Sequence, residues 1–192
     1  MSELGTSAKK ALEFLATFFT DIAQLLKSVD ASLAKDFLQP IQGSGCYWEG
    51  SKSIYSPAYW TPSSIHRIYA FAPIPKDIWS VPVAVFFDVF LTPRCSSEPV
   101  AVWGVWAQSD AKNTWSRIVK LINRVQPEFL THEKETEWKS VASMGFDTFD
   151  FRAYPLVELR NAETVENVVI QPLRERMKTI RKPPPSAHEP ES

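Results

Sequence analysis

One acidic residue, Asp88, lies within an otherwise apolar run of the sequence, from Val81 to Leu91. Both the odd and the even positions of this run are apolar, which predicts a strand that is covered on both faces. A carboxylate in such a place must be hydrogen-bonded, paired with a charge or used in chemistry, because burying a lone charge is costly. Asp88 is therefore the first candidate for a functional residue.

A metal-dependent reaction is one use for this carboxylate. Nucleases that depend on Mg²⁺ hold the ion between two carboxylates and use a lysine to orient water. The chain also has Asp110 and, further on, Glu137 with Lys139 two positions after it. This pattern resembles the motif of the restriction-endonuclease-like nuclease superfamily, and the resemblance implies a metal-dependent hydrolase that uses Asp88, Glu137 and Lys139. The run 132–139 is also typical of a solvated helix face, so the nuclease is the alternative interpretation.

Other catalytic, cofactor and metal patterns are missing from the sequence. His132-Glu133 begins a zinc-helix pattern, but Thr136 stands where the second histidine is required. There is no Gly-x-Ser-x-Gly turn for a nucleophilic serine and no glycine-rich loop of the kinds that hold nucleotide phosphates. We therefore predict no cofactor and no metal site, and we favour a protein that is not an enzyme.

The cysteines and the apolar runs indicate the compartment. Cys46 and Cys95 are far apart in the sequence and show no metal-ligand spacing, which is typical of free thiols in a reducing environment, with a single disulfide between them as the alternative. The first residues lack the basic-then-apolar order of a signal peptide, and no apolar run approaches 18 residues. The prediction is a cytoplasmic protein without membrane contact.

An aromatic segment between Gly43 and Pro75 is the second candidate for a functional surface. Prolines and glycines interrupt both regular periods there, which predicts short strands joined by turns. Aromatic side chains with a polar tip give a large contact area at a small entropic cost, and they anchor many interfaces. The predicted binding residues are Tyr47, Trp48, Tyr55, Tyr59, Trp60, Arg67 and Tyr69.

The charges are balanced, with 21 Lys and Arg against 22 Asp and Glu, so no global field attracts nucleic acid or an anionic membrane. One local basic run lies near the C-terminus. It consists of Arg174, Arg176, Lys178, Arg181 and Lys182. We interpret it as a helix C-terminus whose cations complement the dipole, with a nucleic-acid contact as the alternative.

The apolar spacing also predicts the elements that must position these residues. An apolar stripe from Leu12 to Val29 indicates a helix, which we expect to pack on the chain's own sheet or in a homodimer. Asp30 is expected to cap a short second helix that stops at Pro40. Strands are predicted at Ile65–Phe71, Val81–Leu91, Val100–Ala107, Phe146–Phe151 and Tyr154–Leu159. Two further helices are predicted, one near Asn113 and one from Asn161 onward. The second of these must have a kink or a break at Pro172.

The order of these elements favours an α+β domain over residues 1–180, with a central, mainly antiparallel sheet packed by an N-terminal amphipathic helix and a C-terminal helix. A Pro-rich tail, residues 181–192, is predicted to be disordered. The Val81 and Val100 strands should pair antiparallel, with Gly104 near Asp88. The predicted function is a non-catalytic interaction or accessory module that presents an aromatic-rich surface to a protein partner or to a second copy.

Overall fold

The computed structural model describes residues 3–49, 62–74, 81–91, 98–107, 137–140 and 147–180. Within them the chain begins with a long helix, α1 (Glu3–Ala34). Seven strands follow: β1 (Leu38–Pro40), β2 (Tyr47–Glu49), β3 (Ser64–Phe71), β4 (Val83–Phe90), β5 (Val100–Ala107), β6 (Lys139–Ser140) and β7 (Thr148–Pro155). After a 3-10 turn (Leu156–Glu158), the C-terminal helix consists of α2 (Ala162–Val165), a π-helical turn (Glu166–Ile170) and α3 (Gln171–Ile180).

In the described part of the chain the strands form one sheet in the order β1-β3-β4-β5-β7-β6, and β2 also pairs with β3. Every one of these pairings is antiparallel. Nearly all residues of β4 and β5 are buried, because the central strands are covered on both faces. The predicted α+β class, with an antiparallel sheet and a helix at each end, is confirmed, as is the antiparallel pairing of β4 with β5.

The two faces of the sheet carry separate cores. The first face packs against both helices, and its core joins Phe87 and Trp103 of the sheet to Val29 of α1 and Leu173 of α3. The second face carries another apolar cluster, which includes Phe86, Phe90, Val102, Trp106, Phe149 and Phe151. Alternation along each strand assigns its odd and even residues to opposite faces, so each central strand contributes to both cores.

The first helix, Glu3–Ala34, is longer than the predicted apolar stripe from Leu12 to Val29. It continues through Asp30 to Ala34, so the prediction that Asp30 caps a second helix is wrong. The chain then leaves the helix through a turn in which Phe37 has a φ of 61°, and Leu38 enters β1 rather than a helix. Asp30 lies within the last turns of α1, and its carboxylate contacts the sheet instead of capping a helix start.

The C-terminal region corrects a second boundary. Residues 148–155 form the single strand β7, and the chain turns at Leu156, whereas two shorter strands were predicted. The predicted start of the last helix is confirmed, because the Asn161 side chain accepts a hydrogen bond from the Thr164 N–H. A break was expected at Pro172, and the helix does change there: the π-helical turn Glu166–Ile170 comes just before this proline, which has no backbone N–H to donate to the helix.

Some predictions lie outside the described residues. They concern the helix near Asn113, the loop that contains Cys95, Asp110 and the tail from residue 181 onward. The single domain over residues 1–180 stays a prediction. Of the helices that are described, none combines the length and the apolar character needed to cross a membrane.

Candidate functional site

Asp88 lies on the second face of the sheet, directly opposite His66 in the β3–β4 register. The distance from His66 Nδ1 to Asp88 Oδ1 is 3.2 Å. On the other side of the imidazole, Ser64 Oγ lies 2.9 Å from His66 Nε2. The three side chains therefore form a row of serine, histidine and aspartate on adjacent strands.

The strand geometry explains this row. Ser64 and His66 are two residues apart in β3, so both point to the same face of the sheet. The antiparallel register then brings Asp88 of β4 beside the histidine. Asp88 stands out in the sequence, but its partners do not, because recognising them requires the register between β3 and β4, two strands that are separated by more than ten residues.

The row has the order of a nucleophilic triad, in which a carboxylate orients a histidine that activates a serine. Burial decides against that chemistry in this conformation. Ser64 and Asp88 are 0% exposed and His66 is 4% exposed, and the Phe90 ring meets the imidazole edge-on at 6.0 Å. The serine hydroxyl is therefore closed to solvent, and the row places polar neighbours around a buried carboxylate.

The predicted notch at Gly104 does not lie beside Asp88. The register places Asp88 opposite Val102 and Gly104 opposite Phe86. A Cβ at Gly104 would overlap the Asp150 carbonyl oxygen and would lie 2.8 Å from the Phe86 ring. Glycine is needed here because the backbone of β7 and an aromatic ring already fill the space.

The residues of the alternative nuclease site are not brought together. Lys139 is in β6 at the far side of the described sheet, three strands away from β4, which corresponds to about 14 Å between the backbones. Glu137 is exposed before that strand, and Asp110 is outside the described residues. In the described ranges no three acidic, histidine or cysteine side chains form a group that could hold a metal ion.

The predicted aromatic binding residues divide into three groups. Tyr47 is half-buried in β2, and Trp48 follows it in the same strand. Three others lie outside the described residues: Tyr55, Tyr59 and Trp60. Arg67 and Tyr69 are buried under α1, at 5% and 0% exposure, where they hold the helix to the sheet instead of facing a partner.

Asp30 of α1 is the centre of that attachment. It accepts hydrogen bonds from Arg67 Nε at 3.0 Å and from the Tyr69 hydroxyl at 2.8 Å, while Arg67 also donates to the Gly45 carbonyl. Burial lowers the pKa of Arg67, but hydrogen bonding and the charge of Asp30 outweigh it and raise that pKa overall. Burial, reinforced by Asp30, also raises the pKa of Tyr69, so the phenol remains a donor.

The C-terminal basic run is largely occupied within the molecule. Arg174 pairs with Asp36 at 2.7 Å and with Glu166, and Arg176 pairs with the buried Asp150 at 2.7 Å. Lys178 is exposed, and Arg181 and Lys182 lie outside the described residues. The arginines thus join the C-terminal helix to α1 and to β7.

Among the described residues, α1 carries two strongly exposed large apolar side chains, and Phe37, in the turn that follows this helix, is 76% exposed. The helix of 32 residues is about 48 Å long, whereas an eight-residue strand spans about 27 Å. Residues 5–14 are all exposed, and full burial begins only at Ile22. We call residues 5–19 the α1 arm, and it presents Leu12 and Phe14 at 67% exposure each.

An open groove of about 600 Å³ begins where the arm meets the body of the molecule. Phe18, Asp21 and Leu25 of α1 form one wall, and Val157 and Leu159 belong to the other. Val157 is itself 48% exposed. The sequence stripe predicted burial of this whole helix face in the chain's own core or in a homodimer. Phe18 and Phe19 do pack against the core, whereas residues 5–14 are exposed, and the excess length of the helix over the strands accounts for these exposed turns.

The chain was also compared with known proteins. No family model matches it, and neither the curated proteins nor the solved structures include a match.

Proposed function

We propose that this protein is a non-catalytic interaction module whose contact element is the α1 arm. The observation that carries the proposal is the exposure of Leu12 and Phe14 on a helix that continues beyond its own core. The two side chains are two positions apart, so they lie on the two flanks of the apolar side of the helix. Soluble proteins rarely leave a large apolar patch uncovered unless it binds something. An amphipathic helix with apolar positions three and four residues apart is a common recognition element.

The aromatic side chains of the arm form a ready contact surface. The rings of Phe14 and Phe18 stack at 6.0 Å with an angle of 9° between them, and Phe19 meets Phe18 edge-on at 5.9 Å. A partner would gain the hydrophobic free energy of at least one large aromatic side chain.

The polar cluster of the sheet supports the non-catalytic part of the proposal. Its serine and aspartate are 0% exposed, so neither a nucleophile nor a general base is offered to solvent there. The aromatic segment around Tyr47 is the second part of the proposed contact surface. The exposed free thiol of Cys46 is consistent with a reducing compartment, and we propose the cytoplasm as the location.

Capture by the full-length chain tests this function. The tagged wild type, Phe14→Glu and Thr20→Glu are incubated with an extract of the cells from which the protein comes, and bound proteins are quantified by mass spectrometry. Thr20 is exposed on the polar face of the same helix, so its variant adds the same charge away from the rings. We expect specific partners, including the chain itself, to be lost about tenfold or more with Phe14→Glu and retained with Thr20→Glu. Identical profiles for the three proteins would refute the proposal.

A further inference from the structure

We infer that the α1 arm binds the arm of a second copy of this chain, in an antiparallel and two-fold symmetric dimer. The inference rests on the proposed function, because it names the partner of the same surface. A symmetric dimer uses one self-complementary patch on both subunits, so the patch must satisfy its own charges and its own shape. The α1 helix meets both requirements in one orientation.

The apolar face of the arm is the continuation of a face that already packs. Ile22, Val29 and Leu33 are buried in the core against the sheet. Leu15 and Phe18 precede them at spacings of three and four, so they lie on the same side of the helix. Phe18 already packs against that core, so a second arm that lies beside Phe18, along the groove, would extend an existing core rather than create a new one.

Charge selects the direction of the two helices. Lys10 and Asp21 are eleven residues, about three turns, apart, so they share one flank of α1 at a separation of about 16 Å. Both are exposed. In a parallel pair this flank of one helix faces the opposite flank of the other, so Lys10 and Asp21 would form no ion pair between copies. An antiparallel pair centred near Ala16 places Lys10 of each copy beside Asp21 of the other, so two ion pairs form.

Side-chain size selects the same direction. Along the side of α1 that carries Phe14, the positions before it are small, at Ser7 and Ala11, whereas the positions after it include the bulky Phe18 and Leu25. In the antiparallel arrangement Ser7 lies opposite Leu25, and Phe14 lies opposite Phe18. The beginning of one arm then enters the groove of the other copy, between its α1 and its Val157. Small residues allow this close approach.

The oligomeric state of the full-length protein tests the inference first. Sedimentation equilibrium should show a dimer in the micromolar range for the wild type and for Thr20→Glu. Phe14→Glu should weaken the dimer about 100-fold, because the symmetric dimer loses two aromatic contacts of about tenfold each. Circular dichroism checks that each variant keeps its helix and sheet content.

A charge exchange tests the direction. Lys10→Glu and Asp21→Lys should each weaken the dimer about tenfold, and the double variant should restore it to within about threefold of the wild type. A carbodiimide, which joins a lysine amine to a carboxylate at contact distance, should cross-link Lys10 to Asp21. Within one helix these groups are about 16 Å apart, so that cross-link can form only between copies.

Three results would overturn the inference. They are a wild type that is monomeric at about 100 μM, a dimer that is insensitive to Phe14→Glu, and a double variant that is no tighter than the single ones. If the wild type is monomeric but captures a different protein that the Phe14→Glu variant does not capture, the proposed function stands and only the second copy is rejected as the partner. A monomer that captures nothing through the arm would reject both.

Discussion

The buried carboxylates of the sheet are each met by a side chain from a neighbouring element. Asp150, 1% exposed on the helix-covered face, pairs with Arg176 and accepts a hydrogen bond from Ser140. Asp88 on the second face faces His66 instead. Because both carboxylates are buried, each site is sensitive to a change of charge.

We expect Asp88→Asn to lower the free energy of unfolding by about 1–3 kcal/mol, since the charge-assisted contact with His66 is lost. The exposed Asp21→Asn serves as the control and should change stability by less than about 0.5 kcal/mol. Denaturant titration measures both. Neither Mg²⁺ nor Mn²⁺ should stabilise the wild type. An ion-dependent rise in melting temperature that Asp88→Asn abolishes would instead identify this residue as a metal ligand.

Gly104 is the position at which the sheet tolerates no side chain. We expect Gly104→Ala to cost more than about 3 kcal/mol or to prevent folding, because the added methyl group overlaps the Asp150 carbonyl and the Phe86 ring. Gly45→Ala is the matched control, since its nearest atom would be the Gln42 carbonyl oxygen at 3.4 Å. Thermal melts of the two variants compare them directly. Equal melting temperatures would contradict the β5–β7 packing described here.

The phenol of Tyr69 gives the fold a dependence on alkaline pH. Its pKa in the folded chain is raised above the ordinary value of 10, so the unfolded chain loses this proton first as the pH rises. The stabilisation is thus complete below pH 10 and is lost above it. Tyr69→Phe should cost about 1–2 kcal/mol at pH 8 and less at pH 11. A difference between the two proteins that grows with pH would contradict this assignment.

Among the elements, the central strands could be predicted and the edges could not. Strands β4 and β5 were recognised because burial on both faces leaves apolar residues at every position. Strand β1 has three residues, Leu38–Pro40, and such a short element carries no period of its own. Its place is set by pairing with β3, which is a tertiary contact. The same holds for β6 and its pairing with β7.

The candidate site illustrates the same limit at the level of side chains. Asp88 stood out in the sequence because it interrupts an apolar run. His66 and Ser64 did not, since nothing local indicates which residue of β4 they face. The two halves of α1 share one apolar stripe, so no local pattern indicates where the core ends along it.

The two halves of α1 should respond differently to the same substitution. Leu33 is 0% exposed and packs in the core, whereas Leu12 is 67% exposed on the arm. We expect Leu33→Ala to cost about 3 kcal/mol and Leu12→Ala less than about 0.5 kcal/mol. The free energy of unfolding is measured in dilute protein, so that self-association does not contribute. A cost of several kcal/mol for Leu12→Ala would place the arm inside the monomer's core.

For the molecule as a whole, both ends of the described chain meet on one face of the sheet. The α1 helix and the C-terminal helix share a single apolar cluster with β3, β4 and β5. Three ion-pair sites surround it: Asp30 with Arg67, Asp36 with Arg174, and Asp150 with Arg176. Arg174 and Arg176 belong to the C-terminal basic run, so two of its three described cations are used in these ion pairs. The pairs of Asp30 with Arg67 and of Asp150 with Arg176 attach α1 and the C-terminal helix to particular strands of the sheet.

Among these residues Arg174 makes the longest connection in the sequence, because it contacts two residues that precede it by 138 and 142 positions. Its guanidinium contacts Asp36 at 2.7 Å, the Ser32 carbonyl at 3.2 Å and also Glu166. We expect Arg174→Met to lower the free energy of unfolding by about 1–2 kcal/mol, since the site is only partly buried and removal leaves two carboxylates close together. Lys178→Met removes the same charge from an exposed position of α3 and should cost less than about 0.5 kcal/mol. Denaturant titration at low and at high salt distinguishes the two. If both substitutions cost the same, the arginine would be acting only through the net charge of the helix and not as the link between the two ends of the fold.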